Sequence, residues 1–335
     1  MAELLDKTFA FLDDSIRMKS SEILERSMAQ SNDIVILSGT LVEGIGNKHS
    51  DIDMYVICDT LPKKKAIGDR NYLGVINGDE VRAYYDYLSQ GSFGFDVEYF
   101  TRTEILSMLT EVESLYQEAF KSTKILRQTL SKEVDDALHK IHVGVTLQGG
   151  EELERIIPPN IWHKLQFIQY RNKLGGYPEF KDIMGAWISE DYDTALDNVR
   201  RYLLCQASAL CHLSGSTNSK EKWIIRNVKT LSSSHPELSD NIINWIYSGY
   251  KSDKEKSDAC LAACDLIDDI FQLTHGYLDV NPSIYFSKEV AIELTEREFA
   301  NESFHDSQTL AEFNFRRRQF SDSYLTVREH FTTYA

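Results

Sequence analysis

The sequence predicts an α+β protein in which an N-terminal mixed sheet with helices is followed by a helical bundle. Up to about residue 100, short runs of β-branched and aromatic residues alternate with turn residues, which is the pattern of strands joined by tight turns. After Thr103, apolar residues recur at helical spacing into the 270s. The 335 residues fit two domains at ~150 residues each, and we expect these to span 1–135 and 136–335.

The N-terminal elements follow from local spacing. Leu5, Phe9, Leu12 and Ile16 recur every three or four residues, which predicts a helix within the first 30 residues. The strong turn signal Asn77-Gly78 predicts a hairpin. Strands are predicted at residues 34–37, 52–58, 73–76, 81–84 and 95–100.

Helices are predicted in the rest of the chain from apolar periodicity and from end signals. Ser252 suits a helix N-cap, and Gly215 suits a helix C-terminus. Cys260 and Cys264 lie one helical turn apart, and we interpret them as apolar helix residues rather than metal ligands. The predicted helices cover residues 104–120, 132–145, 193–213 and 252–273.

The composition limits the classes of partner. Asp and Glu outnumber Lys and Arg by 52 to 36, for a net charge of −16. Such a chain repels polyanions and attracts cationic small molecules, so we expect no nucleic-acid partner. Five cysteines, an odd number, argue against a disulfide scaffold. There is no basic leader, and no apolar run approaches the ~20 residues of a membrane span, so we expect a cytoplasmic protein without a membrane partner.

The segment 37–53 carries the clearest chemistry. A strand runs into Gly39-Thr40, a loop follows, and the next strand opens with Asp51 and Asp53. Residues two apart in a strand point to the same side, so the two carboxylates converge. Mg²⁺ binds through a few carboxylates together with substrate phosphates. Gly39 lets the backbone approach a phosphate closely, and the Thr40 hydroxyl adds a donor.

A third acidic element follows in the predicted strand 95–100, where Asp96 and Glu98 share one face. A carboxylate on a strand beside Asp51 and Asp53 would complete a metal-binding triad of the kind used in two-metal phosphoryl transfer. A spare carboxylate would act as general base on an incoming hydroxyl. The choice between Asp96 and Glu98 as the base remains open.

These features resemble the nucleotidyltransferases of the DNA polymerase β superfamily, whose signature is Gly-Ser, a loop, Asp-x-Asp and a later carboxylate. Thr40 stands where Ser is usual and keeps the hydroxyl. The matching residues are Gly39, Thr40, Gly44, Ser50, Asp51, Asp53 and a third acid at Asp96 or Glu98. The resemblance implies two Mg²⁺ ions on Asp51, Asp53 and Asp96, catalytic roles for these acids and Glu98, and nucleotide contacts from Ser38, Gly39, Thr40 and Ser50.

A second resemblance involves the helical region. The segment 197–200 lies in a predicted helix that ends at 213–215, and residues 218–223 follow with a lysine and a tryptophan. This arrangement is similar to the helical C-terminal domain of aminoglycoside adenylyltransferases of the streptomycin/spectinomycin type. It implies transfer of AMP from ATP, or of the monophosphate of another NTP, to a hydroxyl of a small cationic acceptor such as an aminoglycoside antibiotic. The implied contacts are Lys220 for triphosphate and Trp187, Glu190, Asp191 and Asp193 for the acceptor.

Each of these assignments has an alternative. Acids before a helix also stabilise its N-terminus through the dipole, and Lys220 has a structural interpretation as a solvated lysine near a helix start. Two other functions also remain open, namely a nucleotidyltransferase that modifies a protein or a tRNA, and a catalytically silent nucleotide-binding or partner-binding protein. The net charge of −16 weighs against tRNA. The intact acids Asp51, Asp53 and Asp96 weigh against a silent protein.

Overall fold

The computed structural model describes residues 7–12, 16–87, 94–280, 286–302, 306–321 and 325–335. The chain divides into two compact units. The first, called the sheet unit, comprises Met1–Glu111 and Ser131–Ile161, and the second, called the helical unit, comprises Val112–Leu130 and Trp162–Ala335. The predicted α+β class, with a mixed sheet and a helical C-terminal region, is confirmed at this level.

The strands of the described residues form a two-stranded pair and a six-stranded sheet. They are β1 (Thr8–Phe11), β2 (Ile16–Lys19), β3 (Ile34–Ser38), β4 (Ile52–Cys58), β5 (Asn71–Ile76), β6 (Glu80–Tyr87), β7 (Gly94–Thr101) and β8 (Val145–Gln148). The larger sheet has the order β5-β6-β7-β4-β3-β8. Its β4–β7 pair is parallel, and the other neighbouring pairs are antiparallel.

The predicted strands and hairpin are confirmed. The run at 34–37 lies in β3, 52–58 is β4, and 95–100 lies in β7. Asn77 and Gly78 have φ of 51° and 75°, the left-handed conformations that a tight turn between β5 and β6 requires. Every side chain of β3 is buried, as expected of a short β-branched run in the middle of a sheet.

The predicted N-terminal helix is wrong over residues 8–19. Phe9, Phe11, Ile16 and Met18 are buried while their strand neighbours are exposed. This period of two lets β1 and β2 pair antiparallel and pack against the core of the sheet unit. Helix α1 (Ser20–Ser27) begins only after β2, and the predicted helix residue Leu5 lies outside the described residues.

The segment after residue 130 returns to the sheet. Helix α4 (Lys132–Val143) is capped by Ser131, whose hydroxyl accepts a hydrogen bond from the Val134 amide at 3.2 Å. The chain then forms β8, which pairs with β3. The sheet unit therefore extends to Ile161, whereas the predicted boundary was at 135, because β3 pairs with the strand β8, which was not predicted from the sequence.

The helical unit contains most of the remaining elements. The helices not yet given are α2 (Lys64–Ile67), α3 (Arg102–Phe120), α5 (Gly150–Ile156), α6 (Ile161–Lys173), α7 (Tyr177–Ile188), α8 (Tyr192–Leu213), α9 (Ile224–Thr230), α10 (Pro236–Tyr247), α11 (Asp253–Val280), α12 (Lys288–Phe299), α13 (Ser307–Phe320) and α14 (Val327–Tyr334). Cys260 and Cys264 are free and buried in α11, as predicted. Gly215 follows α8 with φ of 116°. Over the described residues, the helices are too short or too polar to cross a membrane.

Candidate active site

The candidate active site lies on one face of the six-stranded sheet, where four strands each contribute one side chain. The register places Ser38 of β3 beside Asp53 of β4, Asp53 beside Asp96 of β7, and Asp96 beside Tyr85 of β6. Residues paired in this way point to the same face. Two of the predicted metal ligands, Asp53 and Asp96, are therefore neighbours across the parallel strand pair.

Glu98 occupies the next row of the same face. It is paired with Tyr55 of β4, whose hydroxyl donates a hydrogen bond of 3.1 Å to Glu98 Oε1. Because Asp96 lies in the row of Asp53 and Glu98 lies one row away, the two acids of β7 have different neighbours. This difference favours Asp96 for an ion shared with Asp53 and leaves Glu98 for another role.

The loop after β3 begins with Gly39, where only a glycine leaves room for the Asp53 carboxylate. Gly39 has φ of 84°, and a Cβ added to it would lie 1.7 Å from Asp53 Oδ2. The loop is closed by the Thr40 carbonyl, which accepts hydrogen bonds from the amides of Ile45 at 2.9 Å and Gly46 at 2.7 Å. The group that lies close to Gly39 is the carboxylate of Asp53, and the predicted approach of a phosphate to this glycine remains a prediction.

Ser38 and Ser50, which were predicted to contact the nucleotide, both form hydrogen bonds with backbone groups of the site. Ser38 Oγ donates a hydrogen bond of 2.5 Å to the carbonyl of Lys140 in α4. Ser50 Oγ accepts one of 3.0 Å from the Asn47 amide, which closes the turn ahead of β4. These bonds tie β3 to α4 and position the start of β4, while contacts of Ser38, Thr40 and Ser50 with a nucleotide remain predictions.

The surroundings of Asp96 disfavour the charged form of its carboxyl group. Burial raises its pKa to about 7, and the charges of Asp53, Glu98 and Asp51 add to the effect in that order. Its Oδ1 atom is buried without a hydrogen-bond partner. A carboxyl group with an orphaned oxygen among three other carboxylates is an arrangement that binding a cation would stabilise.

Lys140 is the cation that the sequence analysis missed. Its Nζ lies 3.7 Å from Asp53 Oδ1 and 3.5 Å from Glu98 Oε1, and 4.6 Å from the centroid of the Tyr55 ring. Its side chain is 15% exposed, so it supplies a partly desolvated positive charge to both rows of acids. No local sequence signal marks it, because α4 reaches the sheet face only through the fold.

Tyr85 is a second residue that the sequence analysis missed. Its hydroxyl donates a hydrogen bond of 2.8 Å to Asp51 Oδ1, which holds the carboxylate that precedes β4. A Cβ at position 94 would lie 1.7 Å from the Tyr85 Oη, so Gly94 makes room for this ring. The alternation of side chains along β6 assigns Tyr85 to one of the two faces of the sheet. It does not show which of those faces carries the acids.

The donor set suits a divalent cation such as Mg²⁺, which prefers carboxylate oxygens. The orphaned Oδ1 of Asp96 and the adjacent Asp53 offer two such ligands, and Asp51 is a further acid whose charge acts on Asp96. Within the described ranges, no three His, Cys, Asp or Glu side chains are already arranged to hold a metal ion. Asp51 is hydrogen-bonded to Tyr85 and Asp53 faces Lys140, so these contacts would have to rearrange.

The predicted acceptor-binding residues have structural partners in the helical unit. Trp187 donates its indole N–H to Ser257 Oγ at 2.9 Å. Asp191 caps α8 by accepting from the Thr194 amide at 3.2 Å. Asp193 forms an ion pair with Lys256, with Nζ 2.7 Å from Oδ1. Asp191 therefore supports the N-terminus of α8, which fits the alternative interpretation, and Asp193 has an ion-pair partner. Contacts of these residues with an acceptor remain predictions.

The remaining predicted residues of the helical unit are Glu190 and Lys220. Glu190 is exposed and lies in the turn between α7 and α8, with a left-handed φ of 58°. The Lys220 amide donates a hydrogen bond of 3.3 Å to Asn218 Oδ1, and the residue precedes a short 3₁₀ helix at Glu221–Trp223. A triphosphate contact from Lys220 remains a prediction.

A comparison with protein-family models and one with curated proteins both found no match to this chain. The functional assignment therefore depends on the chemistry of the residues and on the resemblance in their motif.

Proposed function

We propose that this protein is a Mg²⁺-dependent nucleotidyltransferase that moves a nucleoside monophosphate, AMP from ATP, to a hydroxyl of a small acceptor. The observation that carries this proposal is the pairing of Asp53 with Asp96 across β4 and β7, with Gly39 packed against the Asp53 carboxylate. Adjacent carboxylates beside a loop with an obligatory glycine are suited to holding a metal ion and a phosphate together.

In the proposed reaction, the acceptor hydroxyl oxygen attacks the α-phosphorus of the NTP. The bond from that phosphorus to the bridging oxygen of the β-phosphate breaks, and pyrophosphate leaves with the bonding electrons. Asp51, Asp53 and Asp96 would hold Mg²⁺, which neutralises phosphate charge and orients the triphosphate when it is bound. Glu98 Oε accepts the hydroxyl proton as general base.

Lys140 and Tyr55 position that base. The Tyr55 hydroxyl and Lys140 Nζ both contact Glu98 Oε1, at 3.1 and 3.5 Å. These two contacts fix the direction in which the Glu98 carboxylate points.

The proposed acceptor is a small, hydroxylated cation of the aminoglycoside type. It is supported by the resemblance of the helical region and by the net charge of −16, which concentrates cations near the protein. The contacts of Asp191 and Asp193 within the helical unit add no support, since each already has a partner. The acceptor is therefore the part of the proposal that the experiment must decide.

The test is incubation with each of the four NTPs labelled at the α-phosphate, with Mg²⁺ and a panel of hydroxylated cations. We expect label on a small molecule, no label in Asp53→Asn, and wild-type labelling in Asp69→Asn, an exposed acid of the same unit. Label on protein or RNA would reassign the acceptor. Nucleotide binding without turnover for any acceptor would contradict the enzymatic proposal.

A further inference from the structure

A second site candidate lies entirely within the helical unit. A cavity of about 290 Å³ is bordered by residues 123–127, by the turn at 174–178 and by α13. This volume is at the lower end of the ~300–1,000 Å³ typical of small-molecule pockets. Two of the residues that line it are Arg171 and Arg316, which are only 2% and 4% exposed.

Arg171 is a buried cation whose partners are uncharged. Its Nη atoms donate to the carbonyls of Ala119, Ser122 and Lys124 at 2.6, 2.6 and 2.5 Å. Its Nε has no hydrogen-bond partner. Burial lowers the pKa of Arg171 to about 10. The guanidinium also lies over the rings of Phe286 and Phe320, 5.7 and 5.3 Å from their centroids, which stabilises a cation. Carbonyl oxygens and rings carry no net charge, so no anion balances Arg171 among these contacts.

Arg316 faces the same cavity with a partly balanced charge. It donates to Thr123 Oγ1 and pairs with Glu298, and its Nη1 lies 3.6 Å from Glu312 Oε1 in a second ion pair. Its Nε and Nη1 have no hydrogen-bond partner. Burial lowers its pKa to about 10, and the positive charge of Arg171 contributes to the same effect. Two guanidinium groups thus repel each other across a small cavity while three of their N–H-bearing nitrogens lack acceptors.

The balance of charge around the cavity is positive in a strongly acidic chain. Lys124 and Arg127 join the two buried arginines at the cavity. The carboxylates that oppose them are Glu312, which lines the cavity, Glu298, which pairs with Arg316, and Glu179, which bonds the Gly176 amide. Four cations and three carboxylates leave an excess of one positive charge, which an anion would neutralise and water would not.

The beginning of α7 forms one wall of the cavity, where Gly176, Tyr177 and Pro178 line it. The Gly176 amide donates a hydrogen bond of 3.1 Å to Glu179 Oε2, so a carboxylate of the first turn caps this end of the helix. The turn is held in place by Gln319, whose Nε2 donates a hydrogen bond of 2.8 Å to the Gly175 carbonyl.

We propose that this cavity binds the phosphate group of a small phosphate ester. The orphaned N–H groups of Arg171 and Arg316 would bind the phosphate oxygens, since arginine pairs with phosphate through several parallel hydrogen bonds. The apolar walls formed by Ile125, Leu174 and Pro178 would contact the organic part of the ester. The site requires neither Mg²⁺ nor the carboxylates of the sheet unit, so it is independent of the proposed nucleotidyl transfer.

The test measures binding by calorimetry and by thermal shift in EDTA, using Asp53→Asn so that the proposed metal site is disabled. The probes are inorganic phosphate and phenyl phosphate, with sodium chloride at matched ionic strength as the reference. We expect saturable binding of both phosphates and at least tenfold tighter binding of phenyl phosphate. No saturable effect beyond that of chloride would overturn the site. Equal affinity of the two probes would overturn the assignment to an ester and leave free phosphate as the ligand.

The variant for this test avoids the buried arginines, whose removal would disturb the backbone that they hold. Lys124→Met with Arg127→Met removes two exposed cations at the cavity, and we expect phosphate affinity to fall at least tenfold. The matched control is Lys251→Met with Lys254→Met, which removes two exposed lysines elsewhere in the helical unit. Equal affinity in the two double variants would overturn the proposal.

Discussion

Asp96→Asn should stabilise the metal-free protein above neutral pH. In the folded state, burial and the charges of Asp53, Glu98 and Asp51 raise the pKa of Asp96 from 3.8 to about 7. That difference corresponds to about 4 kcal/mol at ~1.4 kcal/mol for each pH unit. The side chain is partly exposed, so screening by solvent reduces this to about 2 kcal/mol.

The sign follows from proton linkage. Below pH ~4, Asp96 is protonated in both the folded and unfolded states, and the Asn variant has no electrostatic advantage. As the pH rises towards 7, the unfolded chain loses the proton while the folded protein retains it, so the wild type loses stability. Above pH 7 the folded carboxylate is charged against its neighbours, and the advantage of Asp96→Asn reaches its plateau.

The assay is thermal or urea unfolding in EDTA between pH 4.5 and 8.5. A gain of about 2 kcal/mol corresponds to roughly 4–8 °C in melting temperature for a unit of ~150–250 residues. Asp69→Asn, an exposed acid of the same unit, controls for the loss of one negative charge and should show no such dependence. A stability difference between Asp96→Asn and wild type that is negative at pH 8, or constant across the range, would refute the reasoning.

Three further changes test individual contacts. Gly39→Ala should lower the free energy of unfolding by at least ~1–2 kcal/mol and abolish nucleotidyl transfer, because its Cβ would overlap the Asp53 carboxylate; wild-type melting and turnover would contradict this. Asp191→Ala should cost ~1 kcal/mol through loss of the α8 cap while Asp191→Asn costs little, and equal losses of stability in the two variants would contradict the capping role. Asp268→Asn breaks a buried ion pair and should cost ~3–5 kcal/mol in urea unfolding. The exposed pair of Asp265 should be worth only ~0–1 kcal/mol, so equal losses would refute the ranking.

The sequence was sufficient for the strands that carry the acids. The β-branched runs, the Asp-x-Asp spacing and the Asn77-Gly78 turn are local signals, and each has a local physical cause. The identity of the strand that pairs with β4 cannot be predicted from such local signals. That β7 lies beside β4 in a parallel register, with Asp96 opposite Asp53, depends on which edges meet in three dimensions. The sequence predicted a nearby third acid without giving its register.

The predictions that were wrong or incomplete concern features that long-range contacts determine. The spacing of Leu5, Phe9, Leu12 and Ile16 fits a helix, but Phe9, Phe11, Ile16 and Met18 fit a strand pair equally well, and burial against the sheet decided between them. Short apolar patterns do not separate the two periods by themselves. Lys140 and Tyr85 were missed because their function arises from long-range contacts, at sequence separations that no local pattern spans.

The acids near residue 190 show a third limit. Their clustering has the same appearance in sequence whether they bind a cation or support a helix. Asp191 caps α8 and Asp193 pairs with Lys256, and only coordinates reveal those partners. A cluster of acidic residues in a sequence is therefore a weak indicator of a binding site. The glycine that makes room for Asp53 is a more specific indicator.

The interleaving of the two units bears on how the protein is made. The chain passes between the units at 111/112, at 130/131 and at 161/162, so neither unit is one continuous stretch. During synthesis from the N-terminus, the sheet lacks β8 until residues 145–148 have left the ribosome, and β3 is an open edge of apolar strand until then. Such edges recruit other chains. A fragment ending near residue 135 would keep that edge open permanently and would also lack Lys140, so it should aggregate rather than fold into a working half.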